Sequence, residues 1–277
     1  MYPLVFQTDF GLVDGAVSAM YGVAYSVMPD LKIHDLTHDI TPFHIWEASY
    51  RLIQTINYWP EGTVFVSVVD PGVGSVRKSV VAKTNSGRYV VTPDNGALTH
   101  VKKYIGIESV REIDETVNRL QSTRGVAIFH GRDLFGYCAA RLASGIIDFE
   151  GVGPEYPVEE IVEHPIYEPD VSEGCVKGYF EINDPNFGNL WTNIPLDAFK
   201  GAGFEYGDMV NVTIYHDGVE AFKDRVLFHQ SFGFAKKGDP MIYNNELMKV
   251  AMAVSQGSMC QKYGLNFGPE WTVVFTK

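Results

Sequence analysis

At four places in the first half of the chain, an apolar run ends on a side chain capable of chemistry, with glycine or proline beside it. Asp9 follows PLVFQT in QTDFG. Asp70 closes TVFVSVVD and is followed by Pro-Gly-Val-Gly and then Arg77. Asp94 and Asn95 end YVVTPDNG, and His130 ends VAIFHG. Taken singly, each is an ordinary turn residue, because Asp, Asn and Gly favour turns for local reasons. An anion at 70 and a cation at 77, held on rigid backbone either side of a sharp bend, are also what an electrostatic site needs. Open α/β sheets bind ligands beyond the carboxyl ends of their strands, and glycine there lets backbone approach a ligand closely.

Other clusters carry less. HDLTHDI (34–40) gathers His34, Asp35, His38 and Asp39, but no further ligand set accompanies them, so a surface turn is expected and no metal site. DPGVGS lacks the Gly-Lys-Ser/Thr ending of a nucleotide loop, and neither GxSxG nor HExxH occurs. Cys138 falls on the apolar side of a helical pattern and reads as core. In the second half, NDPNFGNLWTN (183–193) packs Asp184, Phe187, Asn189 and Trp191 into one short stretch. A hairpin with packed aromatics and a stacking surface for a purine are equally good accounts of it.

The elements that must position these residues alternate. Residues 3–8 form a short apolar strand, and Asp14 can cap a helix whose apolar face is Val17, Met20, Tyr21, Ala24, Val27 and Met28. A second helix after Pro42 carries Ile45, Ser49, Leu52, Ile53 and Ile56 on one face. Residues 63–70 are too continuously apolar to face water, as in a parallel sheet covered on both sides. Strands are expected at 79–84, 89–94 and 126–131, with a short helix from Ala97 and a longer one over RDLFGYCAARLAS. That is an α/β pattern with a mostly parallel central sheet. Near residue 163 the texture changes to EHPIYEPDVSEG, a linker, and the remainder breaks into strand-like runs: CVKGYFEIND, GNLWTNI, MVNVTIY, RVLFHQSFGF, LMKVAMAV and WTVVFT. These make a smaller all-β, barrel-like domain. The expected division is therefore 1–163, a linker at 164–174, and 175–277.

Composition sets the bounds. At 277 residues and 45% hydrophobic content, with a mean hydropathy of −0.05, the chain is long enough for two globular domains. No apolar run reaches the roughly 18 residues a membrane span needs. MYPLVFQTDFG shows no basic region and no cleavable apolar segment, so no secretory signal is expected. Three widely separated cysteines without a CxxC pair argue against a disulfide framework or a zinc site. A cytoplasmic protein is the expectation, with no membrane partner. The net charge of −12 disfavours nucleic acid. It suits a cationic small substrate, or solubility alone.

QTDFG, VVDPGVGSVR, TPDNG, FHGRDLF and FGNLWTNI, in this order along nearly the whole chain, resemble the S-adenosylmethionine hydroxide adenosyltransferases, a family related to the adenosylmethionine-dependent fluorinase and chlorinase. The resemblance implies an α/β domain joined to a β-barrel, and a homotrimer holding substrate between the first domain of one subunit and the second of its neighbour. It implies hydrolysis of S-adenosyl-L-methionine to adenosine and L-methionine, with the sulfonium compound as substrate and no cofactor or metal. The catalytic set it implies is Asp70, Arg77 and His130, and either Asp70 or His130 could be the base. Asp9 would hold the ribose hydroxyls, with Asp14 counted in the same substrate-binding set. Asp184, Phe187, Asn189 and Trp191 would meet the methionine amine and the adenine, and Phe232 in SFGF would lie near the purine. In YNNELMKVAMAVSQGS, Asn245 is followed by Glu246 where the family has serine, so a carboxylate stands where the methionine carboxylate would be met. The halide enzymes carry no Asp at the position of Asp70 and no His at that of His130, and the fluorinase has a serine where Gly131 stands. Water is the nucleophile this implies; the competing readings are a nucleoside sensor without turnover and a halogenase.

Overall fold

The computed structural model describes residues 1–277, which divide into two compact units, Met1–His164 and Pro165–Lys277. In the first, β1 (Leu4–Thr8) is followed by α1 (Ala16–Val27), β2 (Ile33–Thr37), α2 (Ile45–Thr55) and β3 (Val64–Val68). Next come β4 (Ser79–Thr84), β5 (Tyr89–Pro93), α3 (Thr99–Tyr104), β6 (Ile107–Glu112), α4 (Tyr137–Ser144) and β7 (Glu155–Tyr156). The sheet order is β2-β1-β3-β5-β4-β6-β7. Pairing is parallel from β2 through β5 and antiparallel beyond.

Every residue of β1 and of β3 is buried, as strands covered on both faces require. Leu4 and Phe6 join Met20 and Ala24 of α1 and Cys138, Ala139 and Leu142 of α4 in one core. Gln7 faces the other way and donates from Nε2 to the Ala48 carbonyl of α2 (2.9 Å) and to Ser67 Oγ (2.8 Å). Helices thus cover both faces, and the carboxyl ends of β1 and β3 come side by side with Asp9 and Asp70 just beyond them.

Three sequence expectations change here. Residues 126–131 do not form a strand: Ile128 is 81% exposed, and from Gly131 the chain enters a π-helical turn, Gly131–Gly136, that runs into α4. The apolar side chains of this stretch border a cavity instead of a sheet, and a run this short cannot be told from a strand by pattern alone. HDLTHDI is not a turn throughout; its first half belongs to β2, a parallel edge strand. β6 and the later strand at Pro240–Asn244 carried too little continuous apolar pattern to be expected.

The second unit holds β8 (Asp170–Ser172), β9 (Cys175–Asp184), β10 (Asn189–Pro195), α5 (Leu196–Gly201), β11 (Met209–His216) and β12 (Val219–Phe228). It ends with β13 (Pro240–Asn244), β14 (Lys249–Val254), α6 (Met259–Tyr263) and β15 (Gly268–Thr276). The order β10-β14-β13-β12-β11-β15-β9 closes through pairing of β9 with β10 into a seven-stranded barrel, and β8 pairs with the start of β9. Closure leaves no barrel strand edge unpaired. Phe180, Phe199, Phe204, Phe228 and Phe275 fill the interior, with the Phe199 and Phe204 rings stacked at 4.3 Å. RVLFHQSFGF is strand only to Phe228; Phe232–Phe234 form a single 3₁₀ turn.

Candidate active site

A cavity of about 230 Å³ opens at the strand ends of the first unit, lined by Asp9, Phe10, Phe43, Asp70, Val73, Phe129 and His130 among others. β3 delivers Asp70, and the turn after it folds back so that Arg77 reaches the same carboxylate. Arg77 Nε donates to Asp70 Oδ1 (3.0 Å) and Oδ2 (3.1 Å), and Nη2 donates to Oδ2 (2.5 Å). The Arg77 and Asp70 side chains are 10% and 5% exposed, so water screens the pair little. Nη2 also donates to His130 Nδ1 (3.0 Å), Nη1 donates to Ser79 Oγ (2.6 Å), and the guanidinium lies 5.3 Å from the centre of the Phe135 ring. Arg77 stands behind Asp70 and His130 and is not itself part of the cavity lining.

Burial first, and the Arg77 charge second, hold the His130 imidazole below its ordinary range. A guanidinium can only donate, so in the neutral ring Nδ1 is the acceptor and the proton sits on Nε2. Asp9 accepts from the Phe43 N–H at Oδ2 (2.8 Å). Burial raises the Asp9 carboxyl above the usual range, the Phe43 N–H works against that, and the Asp70 charge adds to it. Phe43 makes this contact from the left-handed region, φ 69°, a conformation that costs a non-glycine residue energy and clusters at functional sites. Gly131 lies against the Phe10 ring, where an added Cβ would stand 3.2 Å from the ring edge.

In the second unit, a cavity of about 700 Å³ is bordered by Asp184, Phe187, Asn189, Trp191, Phe232 and Glu246, and also by Tyr243, Gln256, Ser258 and Gln261. Trp191 Nε1–H donates to Tyr243 Oη (3.0 Å), and the Phe232 ring centre is 4.9 Å from that of Tyr243. Asn189 Nδ2 lies 3.5 Å from Asp184 Oδ2. Gly188 (φ +66°) has to be glycine: a Cβ would fall 1.9 Å from Ser258 Oγ.

Asp14 and Asn245 border neither cavity. Exposed Asp14 accepts the Ala16 N–H (2.9 Å) at the start of α1. Asn245 is buried, and its Oδ1 accepts the N–H groups of Leu247 and Lys249 (3.0 Å each). Asp94 turns away from the first cavity to bind Tyr156 Oη and the Val162 N–H, while Asn95 Nδ2 donates to the Val69 carbonyl (2.9 Å) just before Asp70. Ser79, Phe135, Phe10 and Tyr243 also border or support these cavities and are not singled out by sequence pattern. Of these only Ser79, two residues after Arg77 at the opening of a strand, left a signal.

A doubly covered α/β sheet with acid, guanidinium and imidazole gathered at its strand ends, followed by a closed barrel with its own polar-rimmed cavity, defines a two-domain class of small-molecule enzyme. Residues 4–153 match the SAM hydroxide adenosyltransferase N-terminal domain, and residues 178–272 match the C-terminal domain of the same family. The chain belongs to the SAM hydroxide adenosyltransferase family. It is 33% identical to an (R)-S-adenosyl-L-methionine hydrolase of Thermus thermophilus over 97% of this chain and 98% of that one. It is 36% identical to the protein of the same name from Methanocaldococcus jannaschii over 78% and 75%. A fluorinase of Actinopolyspora mzabensis is 28% identical over 96% and 94%. A crystal structure of an uncharacterized conserved protein from Thermotoga maritima superposes with a TM-score of 0.90 at 32% identity, covering 99% of this chain and all of that one.

Proposed function

We propose that the protein hydrolyses S-adenosyl-L-methionine at the ribose C5′, releasing adenosine and L-methionine. The observation that carries this reading is the hydrogen-bonded set Asp70–Arg77–His130 at the strand-end cavity in a chain of this family. One water oxygen forms a bond to C5′ while the C5′–S bond breaks. The sulfur leaves with the bonding pair as a neutral thioether, so the leaving group needs neither an acid nor a metal.

The water needs help. Lowering its pKa from about 15.7 to about 7 is worth roughly 12 kcal/mol. A guanidinium at about 4 Å contributes on the order of 4 kcal/mol at an effective dielectric near 20. Free hydroxide is therefore not held, and the proton leaves as attack proceeds. The geometry favours Asp70 as its acceptor. With Nδ1 of neutral His130 occupied by Arg77, Nε2–H can only donate, so His130 orients the water oxygen while Asp70 takes the proton and later yields it to solvent. Asp9 takes the ribose hydroxyls, and the aromatic and amide rim of the second cavity takes the adenine and the amino-acid tail.

The first cavity is smaller than the about 300–1,000 Å³ typical of ligand sites, and Phe43 and Ile128 on its rim are 71% and 81% exposed. Phe187 on the rim of the second cavity is 67% exposed. These features suit an opening that another surface completes, as in the homotrimer the family resemblance implies, where the second domain of a neighbour would cover the first-domain cavity. No helix is long and apolar enough to cross a membrane, and the three free thiols fit a reducing cytoplasm.

The test is turnover of S-adenosyl-L-methionine in H₂¹⁸O. Label in the adenosine supports hydrolysis at C5′; recovery of intact substrate would mean a sensor, and chloride-dependent 5′-chloroadenosine a halogenase. Mixing inactive Asp70→Asn and Trp191→Ala chains restores activity if sites are shared between subunits, and restores none if each chain is self-sufficient.

A further inference from the structure

A line of polar groups runs from the surface to the turn that carries Asp9. Thr8 Oγ1, fully buried at the end of β1, accepts the Phe10 N–H (3.1 Å) and lies 2.8 Å from His38 Nδ1. On its far side the His38 ring meets Asp35 Oδ1 and Tyr21 Oη, each 3.1 Å from Nε2, and Tyr21 Oη–H donates to that same Asp35 oxygen. The His38 side chain is only 2% exposed, whereas that of Asp35 is 46% exposed. The His38 backbone carbonyl accepts the Gly11 N–H (2.8 Å), so one residue grips the 9–11 turn from both its ring and its main chain.

With the ring proton on Nε2, the donors and acceptors form one continuous chain. Phe10 N–H spends its proton on Thr8 Oγ1; Thr8 has one hydroxyl proton, and it goes to His38 Nδ1; the ring proton on Nε2 then goes to Asp35. In this tautomer the Thr8 hydroxyl is tied on both sides, and through it the peptide joining Asp9 to Phe10 is held. Both of those residues line the first cavity.

We propose that His38 is a positioning residue: through Thr8 it holds the Asp9–Phe10 turn in the geometry that binds the ribose hydroxyls, and so sets affinity for the nucleoside and not the rate of the chemical step. This rests on the reading that Asp9 holds the ribose. HDLTHDI, expected from the sequence to be a surface turn, is on this account the buttress of a sugar-binding turn.

The experiment compares wild type with His38→Leu, His38→Asn and Thr8→Val, reading KM and kcat for adenosylmethionine and the calorimetric Kd for adenosine. Asn places an oxygen near the position of Nδ1 and keeps the acceptor for Thr8, while losing the reach to Asp35. Loss of the link costs about one net hydrogen bond, so His38→Leu and Thr8→Val are each expected to raise KM and Kd about fivefold to tenfold with kcat within about twofold. His38→Asn returns both to within about threefold of wild type, and the Leu/Val double variant is no worse than Thr8→Val alone, because both remove one link. Unchanged KM and Kd in folded His38→Leu, a fall in kcat at constant KM, or His38→Asn as poor as His38→Leu overturns the proposal. Where His38→Leu fails to fold, an unchanged KM in folded Thr8→Val does the same. A wild type that releases no adenosine refutes the hydrolase reading, and the adenosine Kd series then decides the role of His38 by itself.

Discussion

Arg77→Lys separates charge from geometry in the proposed triad. Arg77 spreads its donors over Asp70, Ser79 and His130 from three nitrogens in one plane and rests on Phe135. Lysine carries the same charge on one compact nitrogen, which can reach Asp70 but cannot reproduce the fork. If charge alone mattered, the substitution would cost nothing, since the Coulomb energy at equal distance is equal. If the hydrogen bond to His130 Nδ1 is what keeps Nε2–H aimed at the water, the variant forfeits a charge-assisted bond worth about 1.5–3 kcal/mol. At 1.36 kcal/mol per decade, kcat then falls about tenfold to 150-fold while KM barely moves.

Stability should respond less, because Asp70 keeps a cation beside it and the roughly 3–5 kcal/mol penalty of stranding a buried charge is not incurred. A loss of about 1 kcal/mol lowers Tm by about 2–4 °C in a domain of this size. Adenosine release followed by chromatography gives kcat and KM, and far-UV melting gives Tm. A folded Arg77→Lys protein with kcat within twofold of wild type would refute the claim that Arg77 acts by orienting His130.

Asp9→Ala should raise KM by about tenfold to a hundredfold, since hydrogen bonds to an ionised partner are each worth about 1.5–3 kcal/mol; an unchanged KM in steady-state kinetics removes Asp9 from the ribose site. His130 has its folded-state pKa below the ordinary 6.5, so between that lowered value and about 6.5 the unfolded chain binds more protons. The stability it contributes is complete above about 6.5 and drains away as pH falls through that window. NMR titration of the ring should show a midpoint below 6.5 that moves upward in Arg77→Gln, and a wild-type midpoint above 6.5 contradicts the assignment. Gly188→Ala drives a Cβ into Ser258 at a left-handed position, and should cost about 1–3 kcal/mol in chemical denaturation, with weakened substrate binding through the neighbouring cavity; a fully stable variant would show that the β9–β10 turn is slack.

The fold was legible where burial is continuous. β1 and β3 announced themselves as unbroken apolar runs because helices cover both of their faces, and α1 showed its buried stripe at Val17, Met20 and Ala24. Legibility failed where apolar residues serve a cavity. Ile128 and Phe129 imitate a strand, yet they border the first cavity, and pattern cannot distinguish a side chain waiting for a ligand from one waiting for a helix. β2 was hidden for the opposite reason: as an edge strand it buries little, and its polar residues read as a turn. Within the site, Asp9, Asp70 and His130 could be named because each ends an apolar run. Asp94 ends one too, but it ties down the 156–162 segment. Strand-end position nominates a residue; only the direction of its side chain elects it.

The charge of the first cavity bears on turnover as a whole. Asp9 and Asp70 face it, Arg77 offsets one of them from behind, and burial holds His130 in its neutral form. With Asp9 ionised, the opening carries about one uncompensated negative charge in a partly desolvated setting, where burial first, and the Asp70 charge least, raise the Asp9 carboxyl. A sulfonium beside C5′ supplies the missing cation and eases the ionisation of Asp9 when the nucleoside docks. Attack then discharges the sulfur. The adenosine left behind is neutral and the methionine has no net charge, so the electrostatic attraction that drew the substrate in is absent from the products. On the proposed reading the two carboxylates therefore favour the cationic ground state as well as the ribose, and part of that binding must be released for the transition state to be reached. In the proposed reaction Arg77 limits the excess: by neutralising Asp70 it would leave the cavity enough negative charge to select a cation and too little to trap it.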